Sequence, residues 1–348
     1  MLQSRSTKTE FSAMADILFV AVVLTFMCFY YYGLRAVAVV LVSVLSSFLT
    51  DFICVKIRKQ KYDRRDLTAF VSGAVLGLMM PASVPYEIVI GANVFAIIVV
   101  KQAFGGHGKN IFSIPAVGFL FSSLCWKENV LMYPAPFDSL SLSSHVQNTL
   151  VSSFTQTLGI AKNPSVSYFD IFLGKFAGPM GATHIIILLV CAVVLMFRRS
   201  ISALTFCGGL GSFLFFSYIF PKFGDSAQAS VFYELFAGMT VFGMVFLACD
   251  YYALPKIRFS RFLYGFVVGF LSLLFRHLSS VENAVVFAVV IASPLAISLD
   301  KSVVAFGGMT KDLFKSVKDF VKTKMQHNAE KQIEVEKENG KEPIQKEN

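Results

Sequence analysis

The sequence predicts an all-α integral membrane protein of about ten transmembrane helices. Three observations carry this. Of 348 residues, 55% are hydrophobic and only 15% charged, whereas soluble domains hold roughly 45–50% apolar and ~25% charged residues. Ten apolar stretches approach the ~20 residues that a helix needs to cross a bilayer. The basic residues fall between those stretches with a strong bias to alternate connections.

The apolar stretches run near 13–32, 35–55, 67–83, 86–104, 111–126, 182–197, 201–220, 230–249, 261–277 and 282–300. The third and fifth are short and interrupted by Gly or Pro. "KIRKQKYDRR" follows the second, Lys101 and Lys109 the fourth, Arg198 and Arg199 the sixth, and Lys256, Arg258 and Arg261 the eighth. Only Arg35, Lys127, Lys162, Lys175, Lys222 and Arg276 fall on the opposite side. The positive-inside rule then places both termini in the cytoplasm and residues 127–181 outside. The net charge of +9 thus reports topology and gives no nucleic-acid signal. "MLQSRSTKTEFSA" is polar, and the apolar run after it is too long for a cleavable signal peptide.

The expected organisation is a membrane domain over 1–308, with repeat one at about 13–126, an outer loop at 127–181 and repeat two at about 182–300. "FVSGAVLGLMMPASVP" (70–85) echoes "LFAGMTVFGMVFLACDYYALP" (235–255). With five spans per half, related halves would be inverted in the membrane; chance likeness of two Gly-rich apolar helices is the competing explanation. In 309–348, "KDLFKSVKDFVKTKM" has an apolar face opposite lysines, suiting a helix on the inner leaflet. The Glu/Lys-rich remainder reads as disordered.

Cys28, Cys54, Cys125, Cys191, Cys207 and Cys249 lie in or beside apolar runs without CxxC spacing, and read as small buried hydrophobes. The five histidines lack ligand spacing, so no protein-bound metal is expected. "KQAFGGHGKN" (101–110) is a Gly-rich turn where Lys101, Gly105, Gly106 and Asn110 could approach a phosphate or flavin. It lacks the P-loop pattern, and a helix connector is the plainer reading. Carboxylates near spans are candidates for an ion path: Asp51 and Glu234 look deepest, with Asp250 beside them. "LVSSFTQTLG" (150–159) clusters Ser152, Ser153, Thr155 and Thr157; a solvated loop is the ordinary reading.

These stretches, with "KQAFGGHGKNIFSIPAVGF", "FDIFLGKFAGPMGAT" and "FRHLSSVENAVVFAVVIASPLAISLD", occur in an order that resembles one family over about residues 15–301. It is the family of the Rnf complex D subunit and the B subunit of the sodium-pumping NADH:quinone oxidoreductase. The resemblance implies a membrane subunit of an ion-translocating oxidoreductase, with ferredoxin/NAD-type electron transfer coupled to sodium or proton transport. It implies FMN joined through phosphate to a threonine by a flavin transferase, and leaves room for a second, non-covalent flavin. Thr155 matches the acceptor position, preceded by Ser152 and Ser153. Phe154 replaces a small residue there, and Gln156 stands where the family often has Pro. Ile111, Ser113 and Ala182 also depart from the family pattern. Implied partners are the other Rnf-type subunits (G, A, E, C and B), the transferase and membrane lipids, at the inner membrane of a bacterium. The alternatives are a small-solute channel or transporter, and a flavin-free scaffold subunit.

Overall fold

The computed structural model describes residues 10–59, 63, 65–138, 140–143, 150–153, 155–157, 167–223, 226–236, 238–279 and 283–305. The expected helix and tail in 309–348 lie outside the described residues. The chain divides into units 1–299 and 300–348; of the second, only 300–305 are described, and they are helical.

All ten apolar stretches carry helix. The first half holds α1 (Glu10–Tyr32), α2 (Leu34–Ile57), α3 (Thr68–Met79), α4 (Tyr86–Ala96) and α5 (Ile114–Cys125). A π-helical turn, Ile97–Gln102, continues α4. The connecting region adds α6 (Lys127–Val130), α7 (Tyr168–Leu173) and a two-residue antiparallel ladder pairing Met132 with Ser152 and Tyr133 with Val151. The second half holds α8 (Ile185–Phe197), α9 (Ala203–Ile219), α10 (Ala227–Phe236), α11 (Thr240–Phe246), α12 (Arg258–Ser279) and α13 (Ala284–Ala292). By length and composition, α1, α2 and α12 can each cross a membrane. Two bent pairs bring the number to five when each is one span: α10 with α11, and α13 with Leu295–Ala305, both bent by 52°. The helices in the expected third, fifth, sixth and seventh stretches are shorter, at 10–17 residues.

Apolar side chains occupy both the interior and the outer faces. Phe19 is 69%, Phe26 68% and Phe197 85% exposed. Water would penalise such a surface, whereas hydrocarbon does not. Polar groups inside are instead satisfied locally. Asn93 on α4 donates to Ser43 Oγ at 2.9 Å and accepts from Ser47 Oγ at 2.5 Å, and Ser43 Oγ donates to the Gly73 carbonyl at 2.6 Å. A close helix approach joins α9 to α12. A Cβ on Gly269 would collide with the Gly209 carbonyl, so only a residue without a side chain permits this contact.

Several helix neighbours correspond between the halves. In the first, α1 meets α2 and α3, α2 meets α3 and α4, and α5 meets α3 and α4; the contact of α1 with α2 has no comparable counterpart between α8 and α9. In the second, α8 meets α11, α9 meets α10, α11 and α12, and α13 meets α11 and α12. The halves touch through like-numbered members, α1 with α8 and α5 with α13.

Candidate functional site

The hydroxyl-rich segment is held as a tight turn. Ser153 Oγ accepts from the Gln156 N–H at 3.2 Å, and the Ser153 carbonyl accepts from the Thr157 N–H at 3.0 Å and its hydroxyl at 3.3 Å. Ser152 sits in the ladder, Ser153 and Thr155 are buried, and Thr157 is exposed. The local sequence explains the turn: a serine oxygen caps the first N–H groups of a helical turn that has no earlier carbonyl to use.

Thr155 faces a cluster that the second half builds. Arg276, near the end of α12, donates from Nη2 to Thr155 Oγ1 at 3.0 Å and from Nη1 to Thr240 Oγ1 at 2.9 Å and to the Glu234 carbonyl. Arg276 is 1% exposed, and Thr155 and Glu234 are fully buried. The Glu234 carboxylate takes hydrogen bonds from Ser217 and, at 3.3 Å, Ser230, and His277 Nε2 lies 2.9 Å from its Oε1. Lys222 Nζ donates to the carbonyls of Arg276 at 3.4 Å and His277 at 2.8 Å, closing the end of α12. Glu234 stands at the α10–α11 break, where the chain bends and its backbone carbonyl is left for a side chain to meet.

A second cluster forms at the end of the α4 π-turn. Lys101 is 1% exposed, with Nζ 2.9 Å from Asp51 Oδ2 and 2.7 Å from Asp66 Oδ2. Gln102 donates to Asp51 Oδ1 at 2.7 Å, and Arg58 donates to the Gln102 carbonyl at 2.9 Å. Asp51 and Lys101, assigned from sequence to an ion path and a ligand turn respectively, are therefore one ion-paired unit. The π-turn explains the geometry: an extra residue in the turn swings Lys101 and Gln102 inward toward α2. The lysine holds the carboxyl of Asp66 below its ordinary range, against the opposing effect of burial, which is the larger of the two influences taken singly.

The turn after Lys101 contains Gly105, Gly106 and Gly108 at φ of +112°, +91° and +76°, conformations that favour glycine. Space beside Gly106 is open. Asn110 is buried, with Oδ1 unpartnered among the described residues. Asp250 lies in the turn following α11, and its carboxyl accepts from the Tyr252 N–H at 3.3 Å. Burial pushes its pKa up from 3.8 to about 6, with hydrogen bonding offsetting part of the effect. Nearby, a cavity of about 360 Å³ is lined by Glu10, Arg199, Tyr251, Lys256 and Arg261 among others.

The structure thus brings Thr155 to Glu234, and Asp51 to Lys101. His277, Asp66 and Gln102 had no assigned part in the sequence reading, and Arg276 and Lys222 stood there only among the charges of the outer side. One signal could have pointed to Gln102, Arg276 and His277: Lys101–Gln102 precedes Asn110, and Arg276–His277 precedes Asn283. Arg35, placed among the loop charges, is buried instead. It donates to the carbonyls of Ala82 at 3.0 Å and Val84 at 2.9 Å, tying α2 to the break after α3.

The sequence profile of the NQR2, RnfD, RnfE family matches residues 3–306. Among curated relatives, the chain is 21% identical over 275 residues to the D subunit of the proton-translocating ferredoxin:NAD(+) oxidoreductase complex of Clostridium ljungdahlii, covering 78% of this chain and 83% of that one. It is 25% identical over 297 residues to the D subunit of the ion-translocating oxidoreductase complex of Erwinia tasmaniensis, covering 76% and 84%. It is 25% identical over 241 residues to the B subunit of the Na(+)-translocating NADH-quinone reductase of Chromohalobacter salexigens, covering 66% of this chain but 57% of that one. With the profile spanning nearly all the apolar helices, the chain belongs to the NQR2, RnfD, RnfE family.

Proposed function

We propose that the chain is the D-type membrane subunit of an Rnf-type ion-translocating oxidoreductase, carrying FMN on Thr155 through a phosphoester. The observation that carries the cofactor is the buried guanidinium of Arg276, 3.0 Å from the acceptor oxygen. A cation fixed at that atom suits a phosphate there. When bound, the flavin supplies reversible electron acceptance. The chain's own residues do the rest. Ser153 shapes the turn that presents Thr155, and Arg276 orients its oxygen. Because Thr155 is fully buried, attachment requires the 150–157 segment to lift away from α12.

The same reading places ten crossings in a bacterial inner membrane, with two inverted five-helix repeats and both termini cytoplasmic. The transferase would then reach Thr155 from outside. Glu234 lies beside the attachment cluster, and Asp51 and Asp250 lie in the first-half cluster and the turn after α11; these carboxylates are the proposed ion-path residues. The Lys101–Asn110 turn serves as a contact for a partner subunit or a second, non-covalent flavin. Electron donors and acceptors reside on the other subunits of the complex.

Mass spectrometry of the chain made with the flavin transferase tests the attachment. The peptide containing Thr155 should gain the mass of FMN less water. Thr155→Val should abolish the gain and the in-gel flavin fluorescence, and Thr157→Val should not. Phe154 and Gln156 beside the acceptor, and the burial of Thr155, favour one competing reading, a flavin-free scaffold. An unmodified wild-type peptide would establish that reading instead.

A further inference from the structure

We propose that Arg276 is the positioning residue for the phosphate esterified to Thr155. This rests on attachment at Thr155 and adds the group that receives the charge. Arg276 Nη2 contacts Oγ1, the atom that becomes the bridging oxygen of the ester. In a phosphoester the phosphorus would be bonded to that oxygen, and the charged oxygens on it would lie two bonds away, where the guanidinium could meet them.

Three features make this an anion seat. The guanidinium is already fixed, because Nη1 is held by Thr240 Oγ1 at 2.9 Å and by the Glu234 carbonyl. Little side-chain entropy is then lost when an anion arrives. Its 1% exposure removes solvent screening, so a phosphodiester charge there interacts strongly. The surroundings also favour an anion. Lys222 closes the same helix end through the carbonyls of Arg276 and His277. The carboxylate present, Glu234, is engaged by Ser217, Ser230 and His277.

The contact with the bare hydroxyl and the contact with the ester then form a sequence. Before attachment, Arg276 holds Thr155 down. For attachment the segment lifts. On return, the new phosphate charge strengthens the contact and locks the segment, fixing the flavin relative to α12.

The test uses full-length chain made with the transferase and the other proteins of the complex, as wild type, Arg276→Gln and Arg276→Lys. Phosphorus NMR reads the phosphate environment, and iodide quenching of flavin fluorescence reads docking. In wild type, the phosphoester resonance should differ from that of the same peptide released by proteolysis. In Arg276→Gln it should collapse to the released value, and quenching should rise by about tenfold, the equivalent of losing one charge-assisted hydrogen bond. Arg276→Lys should keep the flavin docked but move the resonance, since a point charge replaces a planar fork. Wild-type resonance and quenching in Arg276→Gln would overturn the proposal. Should that variant fail to accumulate, Arg276→Lys decides: an unmoved resonance overturns it. FMN on Thr157, or none in wild type, would defeat the attachment itself. FMN on Thr155 with spectra independent of residue 276 would defeat only the role of Arg276.

Discussion

Replacing Asp250 by Asn should stabilise the protein, and the gain should depend on pH in a defined direction. The carboxyl sits in the turn after α11, where burial raises its pKa from 3.8 to about 6. A raised carboxylate pKa means that the folded state disfavours the charged form. Unfolding therefore releases a penalty that is full above pH 6, shrinks as pH falls below 6, and is gone below 3.8. The gap of about two units at ~1.4 kcal/mol each gives an upper bound of about 3 kcal/mol. Asparagine keeps the oxygen that accepts from the Tyr252 N–H and removes the charge. Thermal unfolding in detergent should show a rise on the order of 5 °C at about pH 8, narrowing toward about pH 5. A variant no more stable than wild type at pH 8, or one whose advantage grows on acidification, would refute the assignment of a desolvated carboxylate. Ion-transport assays on the same variant, in the assembled complex, then ask whether that carboxyl serves the ion path.

Lys101→Met should take the ammonium from between Asp51 and Asp66, leaving them only the hydrogen bonds of Gln102, Thr68 and His107, and cost about 3 kcal/mol, read as loss of monodisperse protein on size exclusion; adding Asp51→Asn should recover part of it. Gly269→Leu should separate α9 from α12, because even a Cβ meets the Gly209 carbonyl, and its melting temperature should fall further than that of Gly211→Leu, where nothing stands within 4 Å. Gly106→Val meets open space, so its cost should be the backbone strain of φ +91°, about 1–3 kcal/mol; complex assembly lost beyond that cost, measured by co-purification, would mark the turn as a contact.

The helices were legible because a bilayer imposes length and composition on every crossing. Even the weak stretches, 67–83 and 111–126, carry helix, and their glycines and prolines mark ends and close contacts. The order of motifs singled out Thr155, which the structure buries against a cation. Its partner was not legible, because Arg276 lies 121 residues away and no periodicity records a pairing of that kind. Lys101 shows the same blindness. Beside three glycines it reads as a ligand-facing lysine, yet a single π-turn directs it inward, where its ammonium meets Asp51 of α2 and Asp66 of the segment before α3. Arg35 was counted as a loop charge because sequence alone cannot reveal that carbonyls exposed by the break at Pro81 would be met from α2.

The two clusters bear on the internal echo more directly than the glycine runs that suggested it. Each ends the fourth helix of its half with a cation followed by a polar side chain, Lys101–Gln102 and Arg276–His277. The first cation reaches Asp66 in the segment leading into α3, and the second reaches the Glu234 carbonyl on α10. Each polar partner meets a carboxylate, Gln102 on Asp51 and His277 on Glu234. The two arrangements are alike in these contacts, although Asp51 stands on the second helix of its half and Glu234 on the third. Around Lys101 two carboxylates close the site as an ion-paired lock. Around Arg276 the second-carboxylate position is taken by neutral hydroxyls, and one of them is Thr155.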